Sequence, residues 1–231
     1  MKNNERIFYG LVITTVIILI ATIIGSKIHL NSRFVPDSFV THSIMLLLSV
    51  IAIFEMRKSL NFNISMPKCK NVLKPIAIGI VLTIVINILM AIVTKLVGGK
   101  LEEHPLLSKM NPMQVLIFIF FYASIVEEIL FRGFLLNSLK SLKTNGINIF
   151  KIKFSYSVII SALAFGLAHL VLINTSVGAL FLLKVVLFAT SLGIVAGYYQ
   201  EKYDNTSYAI IVHMSGNFIT VMGVLFMSMT T

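Results

Sequence analysis

Residues 113–139 read MQVLIFIFFYASIVEEILFRGFLLNSL. A run this long and apolar has the length of a membrane-spanning helix, yet it carries Glu127, Glu128 and Arg132 in its interior. Ionisable side chains are expensive to hold in hydrocarbon. Where they occur they face a bundle interior or a wet cavity and are functional-site candidates by default. The stretch therefore predicts both a fold, a bundle of membrane helices, and a place within it for chemistry.

The composition agrees. With 57% hydrophobic and 12% charged residues and a mean hydropathy of +0.94, the chain is no ordinary soluble domain. Apolar runs near membrane length predict spans at Ile7 to Ile24, Ser38 to Phe54, Pro75 to Val97, Met113 to Leu139, Phe154 to Ile173, Val177 to Tyr199 and Tyr208 to Ser228. The expected fold is all-α, a polytopic transmembrane bundle of about seven spans. The range is six to eight, because only the short uncharged break Leu170 to Gly178 divides the fifth from the sixth. Residues 1–112 are expected to form N-terminal transmembrane helices and residues 113–231 a membrane domain that carries the chemistry. No repeat and no Gly-rich phosphate loop is present, and the loops are too short for a soluble domain.

Cytoplasmic loops carry an excess of Lys and Arg. With the N-terminus inside, twelve basic residues, among them Arg6, Arg57, Lys68, Lys143 and Lys202, fall on the cytoplasmic side. Five fall outside: Lys27, Arg33, Lys95, Lys100 and Lys109. The net charge of +10 is thereby explained by topology and by contact with anionic lipid headgroups; nucleic acid is not expected as a partner. Ser26-Lys27-Ile28-His29 lacks the small residues of a cleavage site, so the first span reads as an uncleaved anchor. The single cysteine, Cys69, forms no internal disulfide. The Lys-, Ile- and Asn-rich composition fits a low-GC bacterium, and the expected location is the bacterial cell membrane.

Residues four apart share a helix face, whereas neighbours diverge by about 100°. Glu128 can therefore pair with Arg132, while Glu127 points elsewhere and is left to hold and deprotonate a water. His169 lies in FGLAH, among small residues that admit a neighbouring helix. His213 and Asn217, in HMSGN, present two hydrogen-bonding side chains on one face. Singly each has a bland reading: a Glu-Glu-Arg cluster can lock helices together, and a lone membrane histidine is commonly an interhelical hydrogen-bonding residue. Ser124 and Ser161 read as packing hydroxyls, Asn87 as an interhelical hydrogen-bonding residue and Lys184 as a snorkelling side chain. Together, a carboxylate base, an imidazole and amide donors are the parts of an amide-hydrolysis site in which water attacks directly.

EEILFRG at Glu127, FGLAH ending at His169 and HMSGN from His213 to Asn217 match, in order, the EExxxR, FxxxH and HxxxN motifs. In these the segment from Met113 to Met227 resembles the CPBP family of intramembrane proteases, which includes type II CAAX prenyl proteases and bacteriocin-processing and immunity proteins. The resemblance implies that Glu127 is the base, that His169 helps to activate water, and that His213 and Asn217 stabilise the oxyanion, with Glu128 and Arg132 in support. Glu127, His169 and His213 formally offer three zinc ligands with one open position, so zinc is possible. Neither histidine lies in a compact HExxH helix, and the expectation is a glutamate-type site with no metal and no cofactor.

His169 stands fifteen residues beyond Phe154, about 22 Å along a straight helix, too far from the inner end to meet His213. The expected remedy is that Ile147 to Phe154 lies in the inner interface, that the fifth span starts later, and that the site opens toward the cytoplasm. The function expected is an intramembrane endopeptidase acting on a membrane-associated peptide or protein; prenylated substrates are not expected in a bacterium. The alternatives are a non-catalytic scaffold or bacteriocin-immunity protein and, third, a proton-relaying transporter. The oligomeric state is unknown from sequence.

Overall fold

A computed structural model describes residues 2–102, 110–175 and 177–230. Lys109 of the outer loop, Ser176 within the break Leu170 to Gly178, and Thr231 lie outside the described residues. Among the described residues, seven helices are long and apolar enough to cross a membrane. They are α1 (Asn3–Gly25), α2 (Ser38–Glu55), α3 (Leu73–Leu96), α4 (Pro112–Leu136), α5 (Tyr156–Ala168), α6 (Ala179–Tyr203) and α7 (Thr206–Thr230). A 3-10 segment, His169–Asn174, continues α5. The chain is thus an all-α integral membrane protein, with span limits close to those the apolar runs predict.

The helix with the acidic pair is the centre of the bundle. Half of the most apolar window of α4 is buried inside the protein, against 17–39% for the other spans, and α1, α2, α5 and α7 all pack on it. Val126, Leu130, Phe131, Phe134 and Leu135 of α4 meet Ile17 and Ala21 of α1, Met45 and Ala52 of α2, and Phe165 of α5. Lipid is as apolar as leucine, so close packing, helped by small residues, holds such helices together. Gly79 of α3 shows this: a Cβ there would stand 2.9 Å from the Val212 carbonyl of α7.

Helix α4 begins on a reciprocal cap, in which Asn111 and Gln114 each accept the other's backbone N–H, with Pro112 at the first position. Its interior contains two stretches of wide, π-helical turns, Val115–Ala123 and Ile129–Leu136. Wide turns free backbone carbonyls, and neighbouring helices supply donors here: Ser161 of α5 to Phe131 (2.8 Å) and Gln200 of α6 to Arg132 (2.8 Å). Such turns occur frequently at functional sites.

Contacts between loops sort the helix ends into two sets. At one end Arg6 donates to the carbonyls of Ser138 and Ser59, Lys143 to that of Glu201, and Asn63 to that of Asp204. At the other, Gln114 donates to the Arg33 and Phe34 carbonyls and Glu102 accepts from the Gly178 amide. Seven alternating spans follow from this sorting, with the N-terminus and the predicted cytoplasmic lysines at one end. A topology reporter fused after Lys143 is expected to read cytoplasmic and one fused after Thr231 external, following the charge asymmetry; the same side for both would break the alternation.

The expected depth of His169 needs correction. Residues 147–154 belong to a hairpin of β1 (Gly146–Ile149) and β2 (Ile152–Ser155), turning at Phe150 and Lys151, both at positive φ. The β-branched Ile147, Ile149 and Ile152 favour strands, and positive φ at both central residues matches the hairpin twist. Helix α5 starts directly after it, at Tyr156, so His169 lies at the far end of α5, about 20 Å away along the axis, and not near the predicted cytoplasmic side. It still comes near His213, because Phe165, one turn before it, lies against both rings. Asn205 and Thr206 are buried, roofed by the loop before α3: the Thr206 amide donates to the Asn63 carbonyl, and Asn205 exchanges hydrogen bonds with Ser65. These bonds fix the start of α7, which follows the end of α6 at Tyr203 within three residues, against the loop before α3.

Candidate active site

Glu128 and Arg132, one turn apart on α4, form the predicted ion pair, with Arg132 Nη1 2.9 Å from Glu128 Oε1 and both side chains fully buried. The guanidinium lies over the face of Phe165 from α5, 4.6 Å from the ring centroid, an attractive cation–π contact. Its far side is closed by α6, where a Cβ on Gly193 would stand 2.5 Å from Nη2. Only glycine leaves room for the guanidinium as it stands. Glu128 Oε1 also accepts from His213 Nδ1 on α7 at 2.8 Å.

Glu127 points away from this pair, as the helical angle requires, and is partly exposed, 17%. Its Oε2 lies 3.7 Å from His213 Nε2. Its Oε1 lies 3.3 Å from Nε2 of His42, one turn into α2. The entry to α2 is itself pinned: Asp37 accepts from the Leu30 amide and from His29, and these bonds, His29 first, hold its carboxyl below the usual carboxylate range. The Tyr122 hydroxyl bonds Ser43 at 2.8 Å, and its ring stacks near those of Phe39 and His42, which fixes α2 against α4 beside Glu127.

His169 stands edge-on to Phe165, with centroids 5.0 Å apart, and Phe165 also meets the His213 ring at 5.5 Å. The phenylalanine of the FGLAH segment is thus the wedge that spaces the two imidazoles. Among the described residues His169 makes no hydrogen bond to Glu127; its partners there are the Phe165 carbonyl and ring. Asn217, one turn beyond His213, donates to Ser124 Oγ at 3.0 Å, and Ser124 donates to the Ile119 carbonyl. Ser124 and Ser161 hydrogen-bond within the packed helices, consistent with packing hydroxyls. Asn87 departs from expectation by donating to Thr83 of its own helix.

The partners of the three Nδ1 atoms decide the histidine tautomers. A backbone carbonyl accepts only, so Nδ1 carries the proton in His42, which faces the Ser38 carbonyl at 2.8 Å, and in His169, which faces the Phe165 carbonyl at 2.9 Å. Glu128, paired with a guanidinium, is likewise an acceptor to His213. The Nε2 atoms of His42 and His213 face the oxygens of Glu127, and that of His169, an acceptor in the neutral ring, has no partner among the described residues. This arrangement can take up a water, which needs acceptors for its protons. Among the described residues no three His, Cys, Asp or Glu side chains form a cluster that could hold a metal ion.

Every residue singled out from the motifs, Glu127, Glu128, Arg132, His169, His213 and Asn217, lies in this one neighbourhood where α4, α5 and α7 meet. His42 is the residue the sequence reading missed. Its signal was available: a histidine inside the apolar run of the second span is as anomalous as His169, but no motif surrounds it.

Comparison with known proteins bears on the same segment. Residues 109–219 match the model of the family described as type II CAAX prenyl endopeptidase Rce1-like. No curated protein and no solved structure matches the chain. The matched segment runs from the start of α4 into α7 and contains all three motifs, whereas α2 and His42 lie outside it. Residues 109–219 form an Rce1-like type II CAAX prenyl endopeptidase domain, consistent with the CPBP family of intramembrane proteases.

Proposed function

We propose that the protein is a glutamate-type intramembrane endopeptidase of the bacterial cell membrane, oriented with its N-terminus in the cytoplasm, that hydrolyses a peptide bond of a membrane-associated peptide or protein. The observation that carries this reading is the setting of Glu127: a partly exposed carboxylate flanked by two imidazole Nε2 atoms, beside a buried and neutralised Glu128–Arg132 pair. Glu127 Oε2 takes a proton from water as the oxygen adds to the scissile carbonyl carbon. His169 Nε2 accepts the water's other hydrogen bond and holds it in place. The carbonyl π electrons move to oxygen, and that oxyanion meets the second N–H of Asn217, the first being used by Ser124. His213, tied to Glu128 through Nδ1, takes a proton at Nε2 from solvent, donates a hydrogen bond from it to the same oxyanion, and returns it to solvent after collapse. Collapse of the tetrahedral intermediate breaks the C–N bond, and Glu127 returns its proton to the leaving nitrogen.

The direct test is peptidomics of membranes carrying the wild-type protein against the same membranes carrying Glu127→Gln. Peptides or shortened proteins present only with the wild type identify the substrate; identical peptidomes leave the scaffold reading in possession. On such a substrate, Asn217→Ala is expected to lower turnover by roughly 10²- to 10³-fold, the usual effect of removing one oxyanion donor. Chelation should leave activity intact. One tightly held zinc per chain, whose removal reversibly stops turnover, would overturn the glutamate-type assignment.

A further inference from the structure

The N-terminal half of the chain, outside the matched segment, reaches the centre of this site through one side chain. We propose that His42 of α2 is the positioning residue of Glu127: it holds Oε1 and leaves Oε2 as the only oxygen that faces the reacting water. The inference rests on the endopeptidase reading for its consequence, but its geometry stands alone.

The argument begins with protons. His42 Nδ1 is committed as a donor to the Ser38 carbonyl, so in a neutral ring Nε2 would turn a lone pair on Glu127 Oε1 at 3.3 Å. Two lone pairs do not attract. A proton must lie between them, and with Glu127 acting as a base it resides on His42, making an imidazolium–carboxylate pair. The pair completes a charge balance in the low-dielectric interior, since Glu127 and Glu128 are then opposed by His42 and Arg132, the four charges contributed by α2 and α4 alone. His213 and His169, the remaining titratable groups about Glu127, come from α7 and α5 and need not be charged.

The geometry also restricts Glu127. A carboxylate on a helix can rotate about its terminal bond, and either oxygen could then meet the water. With Oε1 tethered to α2, rotation is blocked, and Oε2 is presented on the side of His213. His42 is itself held by the Ser38 carbonyl one turn earlier and flanked by the Tyr122 ring at 6.3 Å. The first helices therefore act as part of the active site as well as an anchor.

The test uses the full chain in lipid nanodiscs with ¹⁵N-labelled histidine, His42 being assigned by its loss in His42→Gln. In the wild type at neutral pH both His42 ring nitrogens are expected at protonated shifts, and in Glu127→Gln the Nε2 proton should be lost, because an amide neither needs nor stabilises an imidazolium. A wild-type Nε2 without a proton, or one unmoved by Glu127→Gln, overturns the proposal. On the peptide identified by peptidomics, His42→Gln should lower kcat by about 10- to 100-fold, the usual effect of losing such a positioning partner, with KM unchanged. An unchanged kcat in folded His42→Gln also overturns it. If the two peptidomes are identical, the endopeptidase reading fails, while the nitrogen shifts still decide whether His42 and Glu127 share the proton. If His42→Gln does not fold, His42 is assigned by elimination from the remaining histidine variants, and the comparison of wild type with Glu127→Gln decides.

Discussion

Glu127→Gln is expected to abolish turnover, by about 10²-fold or more, the loss that follows removal of a general base, while leaving the protein folded. The amide keeps the shape of the carboxylate and can still bond His42, now as an N–H donor to Nε2, so the contact between α2 and α4 survives. What it lacks is a site for the proton that water must give up. Measured on detergent-purified protein with the substrate found by peptidomics, wild-type turnover in this variant would remove Glu127 from the mechanism. Because Glu127 is partly exposed and not paired with Arg132, no large loss of stability accompanies the change. Yield and thermal unfolding should stay near wild type.

The neighbouring substitution should behave in the opposite way. Glu128→Gln is expected to destabilise the fold by about 3–5 kcal/mol, the cost of leaving a buried charge without its partner. Glu128 Oε1 receives both Arg132 Nη1 and His213 Nδ1, and the guanidinium is enclosed by Phe165 and by the α6 backbone at Gly193. An amide oxygen can accept the same bonds but cannot neutralise the charge. The expected readings are poor yield and an early unfolding transition, with the double variant Glu128→Gln/Arg132→Met recovering part of the loss, since removing both charges is far less costly than removing one. Normal stability of Glu128→Gln would contradict the role given to the pair. Two adjacent glutamates thus make separable predictions, one in turnover and one in folding.

That division was legible before any coordinates, because it depends only on local geometry. Residues 128 and 132 must share a face and residue 127 cannot join them, and the ion pair is found as expected. The span limits were legible for a similar reason: a bilayer demands a fixed length of apolar chain, and satisfies backbone polar groups only within helices. The site was less so. His169, His213 and Asn217 were visible as polar anomalies in apolar runs, and the family resemblance ordered them. His42 was an anomaly of the same kind, in a stretch that no motif marked. The depth of the site was misjudged, because His169 was drawn toward the inner end of its span, whereas α5 starts at Tyr156 and carries it to the far end, where Phe165 spaces it from His213.

The amino-acid sequence by itself determined the membrane class, the seven apolar spans, the Glu128–Arg132 pair and the separate direction of Glu127, all consequences of hydrophobic run length and of the 3.6-residue turn. Only the tertiary structure decided that Glu127 stands between His42 and His213, that Phe165 spaces the two motif histidines, and that each Nδ1 is committed to an acceptor. His42 and Glu127 are 85 residues apart in the chain, as are Glu128 and His213. No periodicity reports on such pairs. They are selected by how the helices pack and by which buried polar atoms must find partners once water is excluded.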